Sequence, residues 1–149
     1  MGTPTNKKQT ILELIKTKFE AVSSTGGSYF YSYSGKVFLN KQTAFTVMGV
    51  NIQDASEDFL EEDSSGTLHD NELMVDINIV CPTAADIANI YKHEADILKC
   101  IGNNLTWEGN ALLTKYMNTI RDKTDQLGNK IADQTIRIRI QYRKTAWNI

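Results

Sequence analysis

The chain has 149 residues, a size that corresponds to one domain with a core of its own, and we expect a single domain over residues 1–149. Its 16 lysines and arginines against 18 aspartates and glutamates give a formal net charge of -2, which excludes the strongly basic balance of a dedicated nucleic-acid-binding protein. Cys81 and Cys100 lack the spacing of a zinc site or redox motif, and no apolar run is long enough to cross a bilayer, so we expect buried thiols, a reducing cytoplasm and no membrane partner.

The first half of the chain predicts one helix followed by short strands. Residues 1–9 are small, polar and basic, and we expect them to be flexible. From Thr10 onward, apolar residues recur at three- and four-residue steps, and Thr10 itself fits the start of a capping box. Alternating tyrosines then follow in SYFYSYSG, and β-branched and aromatic residues are frequent in KVFLN and TAFTVMGV, which indicates short strands.

An acidic stretch interrupts the strand pattern at residues 51–71. It carries many carboxylates with almost no apolar periodicity, so we predict a long acidic loop between two strands. A loop of this length is usually functional or disordered until a partner binds. Six of its carboxylates are candidate residues of a subunit interface or of a ring lumen: Asp54, Glu57, Asp58, Glu61, Glu62 and Asp63.

The second half predicts a strong central strand, a second helix and two final strands. In ELMVDINIVC, apolar residues alternate with more polar ones, as expected for a strand with one buried face. A second helix starts after Pro82, with Thr83 as its cap and Gly102 as its stop, and ALLTKYMNTI predicts the next strand. This order of elements indicates an α+β domain, with a mostly antiparallel sheet and two main helices packed on one face.

The last strand, IRIRIQYR, places isoleucines on one face and arginines on the other. The arginines are too few for a nucleic-acid site, and solvent or the acidic surface of a neighbour fits them better. The tryptophans, in polar surroundings, either complete the core or anchor a subunit contact. The candidate interface with another subunit or with a tube is Arg137, Arg139, Arg143, Trp107 and Trp147. We predict that Arg139→Glu leaves the monomer folded and weakens assembly.

No motif for catalysis is present. The sequence lacks a nucleophile elbow, a phosphate-binding loop, a dinucleotide-binding motif and a zinc-protease helix. We predict that His69 and His93 are solvated, and that His93, Glu94 and Asp96 form no acid–base cluster, because adjacent residues do not share a helix face. We therefore expect no enzymatic activity, no cofactor and no metal.

Taken together, these segments resemble the tail-terminator (tail completion) family, which are minor tail proteins of long-tailed bacteriophages. The resemblance covers roughly residues 10–148 and lies in the order of the elements. The family often has two glycines after the tryptophan, where this chain has Trp107, Glu108 and Gly109. The segments that carry the resemblance are the amphipathic N-terminal helix and YFYSYS, ELMVDINIV, TAADIANIYKHEADILKCIGNNLTW and IRIRIQYRKTAWN.

The resemblance implies a structural protein of a phage or prophage tail, assembled in the host cytoplasm, that forms a ring, commonly a hexamer, and stops tube polymerisation. Its partners would be copies of itself, the major tail-tube protein and head–tail connector proteins, with DNA only as passing cargo. A ring needs two complementary patches, for which the acidic loop and the arginine-bearing strand are candidates. The loop would alternatively face the lumen and repel DNA. The alternatives are a head-completion or neck protein and a small ligand- or nucleic-acid-binding module.

Overall fold

The computed structural model describes residues 6–40, 46–62, 68–126 and 129–145. Within these ranges the helices and strands are α1 (Lys7–Glu20), β1 (Val37–Leu39), β2 (Gly49–Glu62), β3 (Leu68–Cys81), α2 (Ala84–Ala88), α3 (Ile90–Gly102), β4 (Leu113–Gln126) and β5 (Asn129–Thr145). The predicted α+β class is confirmed.

The strands form one five-stranded sheet in the order β1-β2-β3-β5-β4. Only β1 and β2 run parallel, and the other neighbouring strands are antiparallel. The sheet therefore consists of two long hairpins, β2–β3 and β4–β5, joined through the central pair β3–β5. Because β1 pairs with β2 only at residues 50–52, the rest of the outer edge of β2 has no strand partner among the described residues. The same is true of the outer edge of β4.

The core lies between the helices and one face of the sheet. The α3 helix packs over β3 and β5, while α1 packs against β1 and α3. As predicted, the isoleucines of the last strand close this core, since Ile136, Ile138 and Ile140 are fully buried. Burial of one such side chain contributes about 1.5–3 kcal/mol. The opposite sheet face, called here the open face, carries the polar residues of β5 that alternate with the isoleucines: Thr135, Arg137, Arg139, Gln141 and Arg143.

The first helix begins earlier than its apolar pattern predicts. The side chain of Asn6 accepts a hydrogen bond from the Gln9 N–H at 2.9 Å and is the N-cap of α1. Thr10 lies inside the helix, where its hydroxyl donates to the Asn6 carbonyl at 3.0 Å. The predicted flexible segment 1–9 is therefore wrong for residues 7–9, and residues 1–5 lie outside the described ranges.

The predicted second helix consists of two helices, α2 and α3, that meet at Asn89. The predicted cap is confirmed, because the Thr83 hydroxyl accepts a hydrogen bond from the Asp86 N–H at 3.2 Å. That hydroxyl also donates to the Asp86 carboxylate at 2.7 Å, so Thr83 binds both the backbone and the side chain of Asp86.

The tyrosine-rich segment does not form the predicted strand. Residues 28–34 are a loop that follows α1, and β1 then starts at Val37. The reason is that the N–H groups of Phe30 and Tyr31 bind the Asp96 carboxylate of α3 instead of a neighbouring strand. In TAFTVMGV, which spans residues 43–50, residues 43–45 lie outside the described ranges, and the last two residues begin β2.

The predicted acidic loop at 51–71 is wrong, because most of this stretch forms the two strands of the β2–β3 hairpin. The hairpin extends to the pair Glu62 and His69, with bulges after Asp54 and after Phe59. Glu57 accepts a hydrogen bond from Asn71 across the hairpin, Asp70 binds Arg143 of β5, and Phe59 packs edge-on against His69 at 5.2 Å between ring centroids. These cross-strand contacts compensate for the low strand propensity of acidic residues.

Candidate functional site

The arginines of β5 do not form a free cationic surface. In the sheet register Arg137 and Arg143 each lie directly opposite a carboxylate of β3, whereas Arg139 lies opposite Met74 and diagonal to Glu72. Arg137 and Arg143 each bind a carboxylate through two nitrogens, at 2.7 and 3.0 Å and at 2.7 and 3.1 Å. The third pair has a separation of 2.8 Å between Nε and Oε1. The pairs are Arg137 with Asp76, Arg139 with Glu72 and Arg143 with Asp70.

Because of these ion pairs, the arginine-bearing face does not need an acidic partner from another subunit. The hydrogen bond from Arg143 lowers the pKa of Asp70, so the pair stays charged over a wide pH range. Each pair is partly exposed, so solvent screens the attraction and the net contribution of each pair to stability is small. The acidic complement expected on another subunit is supplied for all three arginines by β3 of the same chain.

Trp107 belongs to the core and not to a subunit contact. Its side chain is fully buried, its Nε1–H donates to the Thr114 hydroxyl at 2.9 Å, and its ring meets Phe19 edge-on at 6.4 Å between centroids. The interface role predicted for Trp107 is therefore wrong, because its surface is already covered within the subunit. Trp147 lies outside the described residues.

The carboxylate of Glu57 links the β2–β3 hairpin to β5 and to the start of α1. It accepts hydrogen bonds from the Tyr142 hydroxyl at 2.6 Å and from Asn71 Nδ2 at 3.0 Å. Lys8 and Lys144 approach it at 2.9 and 3.3 Å. Partial burial alone would raise the pKa of Glu57, but the hydrogen bonds from Tyr142 and Lys8 outweigh it and lower the pKa to about 2. This carboxylate is thus held inside the subunit.

The remaining candidate carboxylates differ in their surroundings. Asp54 lies 3.9 Å from Lys8, while Asp58 and Glu61 are exposed on β2 without an ion-pair partner among the described residues. Glu62 is the last residue of β2, and Asp63 lies outside the described ranges. The outer strand of the hairpin therefore presents Asp58 and Glu61 to solvent, next to two exposed apolar residues, Phe59 and Leu60.

The edge strand β4 carries exposed residues that the sequence did not single out. Leu113, Tyr116, Met117 and Ile120 are each more than a third exposed, and Lys115 is exposed between them. The sequence could have indicated them, because in ALLTKYMNTI apolar residues occur on both faces of the predicted strand, which is unusual for a strand with one solvated face. Their position at the sheet edge follows only from the strand order.

A buried polar cluster joins the tyrosine loop to α3. The Tyr33 hydroxyl donates to Asp96 at 2.9 Å and lies 2.9 Å from His93 Nδ1. A hydroxyl has one hydrogen, so His93 Nδ1 must carry the proton and donate to the Tyr33 oxygen. The Asp96 carboxylate also accepts the N–H groups of Phe30 and Tyr31, each at 2.9 Å. The cluster therefore clamps the loop to the helix.

The same cluster corrects the prediction for His93. This side chain is only 5% exposed, and it shares a helix face with Asp96 because the two residues are three positions apart. Burial lowers the pKa of His93, while burial and the hydrogen bond to Asp96 raise the pKa of Tyr33. A neutral histidine and a tyrosine held in its protonated form are suited to packing, since neither is a charged group without a partner.

Within the described part of the chain, no group of three or more histidines, cysteines or acidic residues could hold a metal ion. No helix there is long and apolar enough to cross a membrane. Cys81 and Cys100 are buried free thiols, as predicted, and burial raises their pKa values to about 12 and about 11. The notable surfaces are thus the two sheet edges and the charged open face.

Comparison with known proteins gives a similarity of fold. No protein-family model matches the chain, and no curated protein matches it. A solved structure with a similar fold is a chain in the virion of a native gene transfer agent particle, with a TM-score of 0.50 and 8% sequence identity. The match covers 85% of this chain and 91% of that chain, so the two share their architecture over nearly their whole lengths.

Proposed function

We propose that this protein is a structural component of a phage-like virion, and that it acts in the tail as the terminator that caps the head-proximal end of the tube. The observation that carries the proposal is the shared fold with a chain of a gene transfer agent virion, over 85% of this chain and 91% of the other. The resemblance of the sequence to tail terminators supplies the more specific role.

In this proposed role the protein works through contacts with other proteins and catalyses no reaction. The carboxylates of the buried Asp96 and the half-buried Glu57 are occupied by hydrogen bonds within the subunit. Several of its exposed apolar side chains, among them Phe59, Tyr116 and Ile120, lie on β2 and β4, whose outer edges are surfaces suited to other strands. The partners of this role are further copies of the chain in a ring, commonly a hexamer, the major tail-tube protein and the head–tail connector.

The first experiment measures the mass of the purified protein by light scattering after size exclusion, over a series of concentrations. A closed oligomer near six subunits supports the ring. For a monomer, the tail-tube protein is added, and assembly on the tube then supports the role. A chain that neither self-associates nor binds the tube contradicts it.

A second experiment tests the terminator role against the head-completion role. Tail-tube protein is polymerised with increasing amounts of this chain, and tube lengths are measured by electron microscopy. A terminator shortens the tubes at substoichiometric amounts and is seen at one tube end. A head-completion or neck protein leaves tube lengths unchanged and binds the connector instead.

A further inference from the structure

We propose that the outer edge of β4 pairs with the outer edge of β2 in a second copy of this chain, so that neighbouring subunits share one continuous antiparallel sheet. The inference rests on the proposed ring assembly and identifies the two surfaces that close the ring. Its central contact is between the segment Leu113–Tyr116 of one subunit and the segment Ser56–Phe59 of the next.

The first support is the distribution of apolar side chains on β4. Leu113 and Ile120 lie on the open face of the sheet, since their partners on β5 are Gln141 and Thr135. Tyr116 lies on the helix-covered face, and the three side chains are 37%, 53% and 54% exposed. A protein that docked on one sheet face would cover only part of this set. A strand added along the edge reaches both faces at once.

The second support is that the regular parts of the two edges lie at the same height in the sheet. The bulges of β2 leave 56–59 regular, and the bulge of β4 leaves 113–116 regular. Strand pairing places these segments in common rows across the sheet: Asp58, Glu72, Gln141 and Leu113 form one row, and Ser56, Met74, Arg139 and Lys115 form another. A neighbour related by rotation about an axis along the strands therefore brings the two segments side by side.

The direction of the strands fits the same arrangement. Within one subunit β2 and β4 run antiparallel, because three successive antiparallel pairings separate them. A rotation about an axis along the strands preserves these directions, so β4 meets the β2 of its neighbour in antiparallel pairing, which is the more stable arrangement per residue.

The third support is charge. The segment Gly49–Glu62 contains acidic residues and no lysine or arginine, and Asp58 in it is exposed. In the proposed pairing, Lys115 lies opposite Ser56 and diagonal to Asp58, within reach of a long side chain. Lys115 has no ion-pair partner among the described residues of its own subunit. The contact thus brings together a free cation and a free carboxylate.

Pairing of β4 with the β4 of a second copy is less favourable. The antiparallel register that places Tyr116 opposite Ile120 also places Lys115 opposite Arg121, and like charges directly opposite each other are destabilising. Such a pairing is also isologous and ends at a dimer, whereas β4 with β2 is heterologous and can close into a ring.

The test is a disulfide between the two edges, in the full chain with Ser56→Cys and Lys115→Cys. Within one subunit these positions are separated by three strand spacings, roughly 14 Å, which is too far for a disulfide. Any bond formed on mild oxidation is therefore between subunits. We expect a ladder of linked chains up to a closed ring on a non-reducing gel. An equimolar mixture of the two single variants should stop at dimers.

The matched control is Ser56→Cys with Ala95→Cys, which places the second thiol at an exposed position of α3, away from both edges. Each sample is oxidised with and without tail-tube protein, and the mass of the unmodified chain is measured in parallel. A ladder no stronger than the control overturns the edge pairing, and dimers from Lys115→Cys alone overturn it in favour of β4 with β4. If the unmodified chain forms a ring without these crosslinks, only the interface is wrong. If the crosslinks are absent and the unmodified chain forms no ring either, with or without tube protein, the ring proposal itself fails.

Discussion

The variant Asp96→Asn tests whether one buried carboxylate holds the tyrosine loop on the helical layer. In the wild-type chain the carboxylate accepts hydrogen bonds from three donors, namely the N–H groups of Phe30 and Tyr31 and the hydroxyl of Tyr33. An asparagine has the same shape but only one accepting oxygen. Whichever way the amide is turned, at least one of these donors then faces an NH₂ group.

The expected cost follows from those contacts. Loss of one hydrogen bond to a charged group costs about 1.5–3 kcal/mol, and a buried donor left without a partner costs about 1–3 kcal/mol. Removal of a buried charge offsets part of this sum. We therefore expect the free energy of unfolding to fall by about 3 kcal/mol. For a chain of this length, the melting temperature should fall by about 6–12 °C.

The measurement is urea unfolding followed by tyrosine fluorescence and far-UV circular dichroism, with the midpoint compared at an unchanged m-value. The variant Tyr33→Phe should cost less, about 1–2 kcal/mol, because both oxygens of Asp96 keep a backbone donor. Glu13→Gln on the exposed side of α1 is the control and should change stability by less than about 0.5 kcal/mol. A loss below about 1 kcal/mol for Asp96→Asn would refute the role of the carboxylate as a clamp.

Three further outcomes are expected. Trp107→Phe should lower the free energy of unfolding by about 1–2 kcal/mol, because one hydrogen bond is lost and the new ring is smaller. The mass of the oligomer should stay unchanged. A change of mass without a loss of stability would contradict the assignment of Trp107 to the core. Arg139→Glu should destabilise the subunit by about 1 kcal/mol because it places a second carboxylate against Glu72, and urea unfolding of the monomer would detect this separately from any effect on assembly. The stabilising contribution of Glu57 is complete above pH 4.5 and is lost as the pH falls toward 2. His93 lowers stability as the pH falls below 6.5, because the imidazole takes up a proton in the unfolded chain before it does so in the folded one. Glu57→Gln should therefore flatten the lower part of the pH–stability curve and His93→Gln the upper part, and a wild-type curve shape in either variant would argue against its assignment.

The central parts of β3 and β5 were predictable because every second residue there is buried, from Asn71 to Cys81 and from Gln134 to Tyr142. In β5 the alternation of isoleucine with arginine gives both the strand and the side that faces the core, as the full burial of Ile138 demonstrates. The capping of α2 by Thr83 was equally readable, since the contact is local in sequence. Local patterns thus gave the class of the fold and most of its elements.

The features that escaped prediction depend on partners that are distant in the sequence. Asp70 is stabilised in a strand by Arg143, and the tyrosine loop leaves the sheet because Asp96 on a later helix binds its backbone. The position of β4 at the edge depends on the strand order, which no single segment encodes. The sequence left open whether Trp107 completes the core or anchors a subunit contact because its neighbours are polar, and Phe19 and Thr114 enclose it from two other elements.

The central β3–β5 pair has a consequence for how the chain folds. The hairpins β2–β3 and β4–β5 each close over a short connection, so their strands can meet within microseconds of collapse. The β3–β5 pair spans the whole α2–α3 connection, and its formation must wait until that longer loop is closed. We expect the docking of the two hairpins to be the late step of folding. The inner edges of β3 and β5 are then paired inside the subunit, and the outer edges of β2 and β4 are the ones that a folded chain still presents to its neighbours.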